Sequence, residues 1–165
     1  MKIKSTSEQV NLAASVTISA KNLGVAVVVA RFNGTIVAKL LRGVQAAWSR
    51  YGGRVESLQE FRVPGAFELP LTCRELAMSG KYNAVVALGC VIRGDTPHFE
   101  YVAGECARGL MDVGLQTSVP VIFGVLTVET LAQAEERADP ARLDKGGEAV
   151  EAAIELAQLL RALRK

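Results

Sequence analysis

An unbroken apolar run at Ala84–Ile92, AVVALGCVI, constrains the fold of this chain more than any other stretch. It is far shorter than the ~20 residues a membrane-spanning helix needs, and it is rich in β-branched side chains. A strand with one wet face alternates polar and apolar residues. A strand buried on both faces does not have to, and such strands belong to parallel sheets covered by helices on either side. Two further runs have the same character, Gly24–Ala30 (GVAVVVA) and Pro120–Val128 (PVIFGVLTV). Parallel strands need long crossover connections, usually helical, so the segments between these runs have to supply helices.

After the turn Arg31-Phe32-Asn33-Gly34, apolar residues Ile36, Val37, Leu40, Leu41, Val44, Trp48 and Tyr51 recur at helical spacing. That predicts a helix over Thr35–Tyr51 with one core face, on which Trp48 is a packing residue. Gly52-Gly53 ends it. Val55–Val63 alternates and predicts a strand nearer the sheet edge. A turn at Val63-Pro64-Gly65 leads into a second helix over Phe67–Met78. The strand Ala84–Ile92 is followed by Arg93-Gly94-Asp95 and then by Thr96-Pro97-His98, where Thr suits an N-cap and Pro the first helical turn of a helix reaching Gln116. A short helix is expected over Thr130–Ala138. A loop opened by Asp139-Pro140 and closed by Gly146-Gly147 precedes the last helix.

Strand and helix thus alternate without a repeat, a low-complexity tract or a dividing linker. The expectation is one α/β domain over residues 1–165, a flavodoxin-like three-layer α/β/α sandwich with a four-stranded parallel sheet and right-handed crossovers. Residues 1–22 form a polar N-terminal arm in which Ala14–Ile18 (ASVTI) alternates as an edge strand does.

Charge is nearly balanced, with 19 Lys and Arg against 17 Asp and Glu, and half the residues are hydrophobic. That excludes a disordered chain and supplies no basic face for nucleic acid or a membrane surface. The start, MKIKSTSEQVNLAASV, lacks an apolar core of signal-peptide length. Cys73, Cys90 and Cys106 are odd in number, widely spaced and form no CxxC, so neither a disulfide framework nor a metal site is expected. They are read as reduced, buried thiols of a cytoplasmic protein.

Chemistry is expected where strands end. In an open parallel sheet, ligands bind in the crevice outside the carboxyl ends of the strands. Three polar turns meet there: Arg31-Phe32-Asn33, Val63 to Glu68, and Arg93 to His98. Phe32 is an unusual turn residue, either a stacking platform or a ring tucked under its loop. Glu68 sits at a helix start, where a carboxylate also complements the helix dipole. Gly94, Asp95 and Thr96 precede a helix N-terminus whose free N–H groups suit an anion, with the Asp95 charge working against it. His98, the only histidine, stands in the first turn of that helix as a candidate proton carrier. Arg137 and Lys145 are further candidate anion binders. The Arg93-Gly94-Asp95 triplet is treated as chance.

Read together, these stretches resemble the lumazine synthases, enzymes of riboflavin biosynthesis. The matching pieces are ARFNGTIV at 30–37, VPGAFELP at 63–70, ALGCVIRGDTPHFEYV at 87–102, PVIFGVLT at 120–127, and TLAQAEERA with DKGGEA near the end. They come in the order and spacing of that family over about residues 24–155, and the RGxTPHF element is highly specific.

The resemblance implies a transferase that condenses 5-amino-6-(D-ribitylamino)uracil with 3,4-dihydroxy-2-butanone 4-phosphate, releasing phosphate and water, the penultimate step of riboflavin biosynthesis. It implies no cofactor. It places Phe32 on the pyrimidine ring, Ala66, Phe67 and Glu68 along the ribityl chain, and the backbone of Cys90, Val91 and Ile92 at the uracil edge. Gly94, Asp95 and Thr96 would cradle the phosphate with Arg137 as countercharge, and His98 would move protons. Phe123 and Lys145 would line the site. Phe123, Arg137 and Lys145 would come from a neighbouring subunit, so the resemblance implies a homo-oligomer, a pentamer or multiples up to an icosahedral shell. The N-terminal segment would add a strand to a neighbour's sheet, and a riboflavin synthase is an admissible partner. Ala66 and Asp95 depart from some members of the family.

Other readings fit less well. A flavodoxin-type binding module needs a Ser/Thr-rich phosphate loop after the first strand, and Arg31-Phe32-Asn33-Gly34 is not one. The archaeal-type riboflavin synthases lack the TPHF block. A flavin- or lumazine-binding or shell-forming assembly protein with weak catalysis would carry the same residues and stands as the alternative.

Overall fold

The computed structural model describes residues 17–164. Its strands are β1 (Val25–Ala30), β2 (Gln59–Val63), β3 (Ala84–Ile92) and β4 (Val121–Val128). The helices are α1 (Gly34–Arg50), α2 (Leu69–Met78), α3 (His98–Thr117), α4 (Leu131–Ala138) and α5 (Lys145–Leu163). All strand pairs are parallel and the order is β2-β1-β3-β4. This is the flavodoxin-like order over four strands, as the sequence predicts.

Side-chain alternation on β1 divides the core into two. Val25, Val27 and Val29 face Ile36, Leu40, Val44 and Trp48 of α1 and Val150 and Ile154 of α5. Ala26, Val28 and Ala30 face Leu69 and Cys73 of α2 and Cys106 and Leu110 of α3. Both faces of β1 and β3 are therefore dry, which is why these strands read as continuous apolar runs. Trp48 is 1% exposed, and its Nε1–H donates to the Arg54 carbonyl at 2.9 Å. It is a core residue with its polar end satisfied.

Four expectations need correction. The strand over Val55–Val63 is shorter: Val55–Ser57 forms a 3₁₀ turn and only Gln59–Val63 pairs, at the sheet edge. The second helix starts later, because Ala66–Glu68 is also a 3₁₀ turn and α2 opens at Leu69. Thr96 does not cap α3. Pro97 holds that position, and Thr96 Oγ1 lies 3.5 Å from the His98 N–H, at the limit of a hydrogen bond. Gly146 and Gly147 do not close a loop but lie inside the first turn of α5, which Asp144 caps by accepting the Gly147 N–H at 3.0 Å. Their smallness serves packing: a Cβ on Gly146 would stand 2.0 Å from the Leu40 carbonyl oxygen of α1. The expected strand at Ala14–Ile18 lies mostly outside the described residues, and Thr17 and Ile18 carry no strand.

Cys73, Cys90 and Cys106 are free and buried. Burial pushes the Cys73 thiol from an ordinary 9.0 up to about 12, with Cys106 beside it adding to the shift, and pushes Cys90 and Cys106 up to about 11. The thiols are thus neutral in the fold and ionise more readily once it opens. Their contribution to stability is full below about pH 9 and is lost as pH rises from there through the folded values. Native protein should leave a thiol-reactive dye unreacted at about pH 8, while unfolded protein titrates all three cysteines. Rapid labelling of the native protein would contradict this burial.

Candidate active site

β1, β2 and β3 end side by side, and the turns that leave them build one cleft. Beyond the regular strands the ladder continues, with the Arg31 N–H donating to the Val63 carbonyl at 2.9 Å and the Phe32 N–H to the Pro64 carbonyl at 3.0 Å. These bonds hold the first two turns together. Asn33 fixes the first turn to the third strand. It adopts the left-handed region (φ 54°) that Asn tolerates, and its Nδ2 donates to the Cys90 carbonyl at 2.9 Å.

The result is a cleft of about 450 Å³. Its walls include Phe32, Ala66, Phe67, Glu68, Cys90, Val91, Ile92, Gly94, Thr96 and His98, all named from the sequence as candidate site residues. Phe32 is 70% exposed and Phe67 58%, so neither ring is tucked under its loop. An aromatic face left in water at the rim of a cleft suits a flat ligand. Glu68 combines both readings: Oε2 accepts the Gly65 N–H at 2.9 Å, closing the turn, while the side chain still borders the cleft. Cys90 contributes backbone and a buried, neutral thiol rather than a nucleophile.

The remaining candidates lie elsewhere in the chain. Phe123 pairs with Ala87, so at ~3.3 Å per residue it sits about 17 Å down the sheet from the Ile92 end. With Lys145 it lines a separate hollow of about 280 Å³ along the outer edge of β4. Lys145 Nζ is 2.6 Å from Glu148 Oε2. Arg137 stands on α4, where its Nη1 donates to the Gln133 carbonyl at 3.3 Å and no carboxylate pairs with it among the described residues. Asp95 is exposed in the loop and does not border the cleft. Sequence reasoning missed Asn33 as a tether and Phe99 and Val102 as wall residues. Asn just before a helix was a signal for the former; the latter follow His98 at positions only the placement of α3 reveals.

Comparison with known proteins agrees with this architecture. The family model for 6,7-dimethyl-8-ribityllumazine synthase matches residues 22–161. The chain belongs to this family. A lumazine synthase from Deinococcus radiodurans is 48% identical over 149 residues, covering 90% of this chain and 96% of that protein. The blocks that carry the lumazine synthase resemblance supply the walls of the cleft and the β4-edge hollow. No helix among the described residues is long and apolar enough to cross a membrane.

Proposed function

We infer that the protein condenses 5-amino-6-(D-ribitylamino)uracil with 3,4-dihydroxy-2-butanone 4-phosphate to give 6,7-dimethyl-8-ribityllumazine, with loss of phosphate and water. The observation that carries this reading is the convergence, on one cleft, of the exposed Phe32 ring, the end of β3, the Gly94–Thr96 loop and His98. A flat pyrimidine stacks on Phe32. Its ring edge meets the backbone of Cys90, Val91 and Ile92, and the ribityl chain runs along Ala66, Phe67 and Glu68. The phosphate sits at the start of α3 against Gly94 and Thr96, with Asp95 between them contributing backbone while its side chain stays outside the cleft. The uracil amine attacks the ketone and one water leaves as the imine forms. Phosphate is then eliminated, and attack of the ribitylamino nitrogen on the remaining carbonyl closes the ring and expels a second water. His98 carries protons in these steps. Holding the two substrates together supplies much of the rate, since the amine is itself the nucleophile.

Among the described residues, no lysine or arginine lines the cleft of one chain to meet the phosphate. Arg137 supplies the countercharge, and Phe123 and Lys145 close the site, when they arrive from a neighbouring subunit, in a pentamer or a multiple of one. Among the described residues no strand pairs with the outer edge of the apolar strand β4, and this supports the reading, since an unpaired edge is a template for another chain. The N-terminal arm of a neighbour is the strand proposed to add there, and the chain acts as one domain in the cytoplasm.

A direct assay tests the activity: both substrates with purified protein, the lumazine followed against a blank without enzyme. A rate no higher than the blank from assembled protein would overturn the assignment. Mixing tests the shared site. His98→Ala and Arg137→Ala are each expected to be impaired, yet subunits co-refolded from both regain activity, because some sites then combine an intact cleft with an intact arginine. A mixture no more active than the average of its parents would sink the trans arrangement.

A further inference from the structure

The structure assigns Arg93 a positioning role: its guanidinium clamps the Gly94–Thr96 loop by bridging Glu100 and Glu129, so that the loop is pre-formed for a phosphate. This rests on the activity proposed above but concerns residues to which that reading gives no part.

The loop has little else to hold it. Among the described residues, no hydrogen bond engages Gly94 or Asp95, and Thr96 makes only the 3.5 Å contact with His98. Free N–H groups there suit an anion, yet a loop without bonds of its own must be ordered on binding, at a cost that weakens it. Arg93 immediately precedes it and is fixed at both ends. Its backbone N–H donates to the Val128 carbonyl at 2.9 Å, continuing the β3–β4 ladder. Its Nε lies 2.7 Å from Glu129 Oε2 on the turn after β4, and its Nη1 donates to Glu100 Oε1 in the first turn of α3. The guanidinium also lies 4.3 Å over the ring of Phe99, a wall of the cleft. One side chain thus ties the end of β3 to β4 and to the start of α3, on either side of the loop.

The same contacts argue against Arg93 as a phosphate ligand. Two carboxylates already engage its Nε and Nη1, the trio carries a net negative charge, and Arg93 is not among the residues lining the cleft. A planar fork with donors on several edges can make these contacts at once, whereas a lysine ammonium cannot span them.

The roles predict opposite signs in the double variant Glu100→Ala/Glu129→Ala. Removing two negative charges beside an anion site, and freeing a cation, tightens phosphate binding if electrostatics or direct ligation governs. Loss of a clamp loosens the loop instead. The expected result is a KM for the butanone phosphate raised about tenfold with kcat reduced, the KM for the uracil substrate unchanged, and weaker binding of inorganic phosphate by calorimetry. Arg93→Lys should fall between wild type and Arg93→Ala on the same scale. A KM for the phosphate substrate that is unchanged or lower overturns the inference. So does a rise in both KM values together with a large loss of thermal stability, which would place the effect in the whole fold. If wild-type protein binds phosphate but makes no lumazine, the proposed activity fails, and the calorimetry still decides the clamp.

Discussion

His98→Ala should lower kcat by roughly 10²-fold, the lower end of what a positioned acid–base group contributes. The low end applies because, in the proposed reaction, the nucleophile belongs to the substrate and the cleft would keep both reactants in place without the imidazole. His98 is exposed at the first helical position of α3, and no side chain packs on it as part of either core cluster. Thermal stability and assembly should therefore match wild type, and both KM values should change little. Added imidazole should restore part of the rate, since a small base can occupy the space that the side chain leaves. The decisive measurement is steady-state kinetics with correction for the uncatalysed condensation. A wild-type kcat would remove His98 from the chemistry and leave proton transfer to water or to the phosphate.

Much of the fold was legible because β1 and β3 are dry on both faces. Burial on two sides suppresses alternation, and the suppression shows in the residues themselves. The edge position of β2 was legible for the converse reason, since residues 60–63 alternate. The candidate cleft was legible through residues out of keeping with their turns: an aromatic at Phe32, and the one histidine beside Gly94 and Thr96. What escaped is what depends on other elements arriving. Arg93 looked like the head of a chance triplet because its partners lie seven residues ahead, at Glu100, and 36 residues ahead, at Glu129. Phe123 sits in an apolar run that reads as core, and only its place on the outermost strand leaves it 43% exposed. The paired glycines in the first turn of α5 mislead for a related reason. Adjacent glycines signal a break unless a second helix needs the space that a side chain would fill.

That last case carries the largest expected effect on stability. Gly146→Ala places a methyl group 2.0 Å from the Leu40 carbonyl oxygen and within 2.9 Å of its Cα, both atoms of the α1 backbone. No rotamer relieves such a contact, so α1 and α5 must separate, and the packing of Leu40 and Val44 against Val150 and Ile154 separates with them. Overpacking that moves backbone costs about 3 kcal/mol, which in a chain of this size lowers Tm by about 6–12 °C. Gly104→Ala is the matched control: it stands on the exposed side of α3 with nothing within 4 Å of the added carbon. There the higher helix propensity of alanine should raise stability by up to about 1 kcal/mol. Calorimetric melting of both variants separates the two origins of a helical glycine. A Gly146→Ala protein that melts within about 2 °C of wild type, less than 1 kcal/mol, would show that the helices have slack and that the glycine is incidental. The consequence reaches function, because Lys145 directly precedes Gly146 at the start of α5. Displacing that helix end moves the lysine proposed to complete a neighbour's site. Gly146→Ala should therefore lose activity even at temperatures where it stays folded, and the DKGGEA block is then a packing motif that aims a side chain.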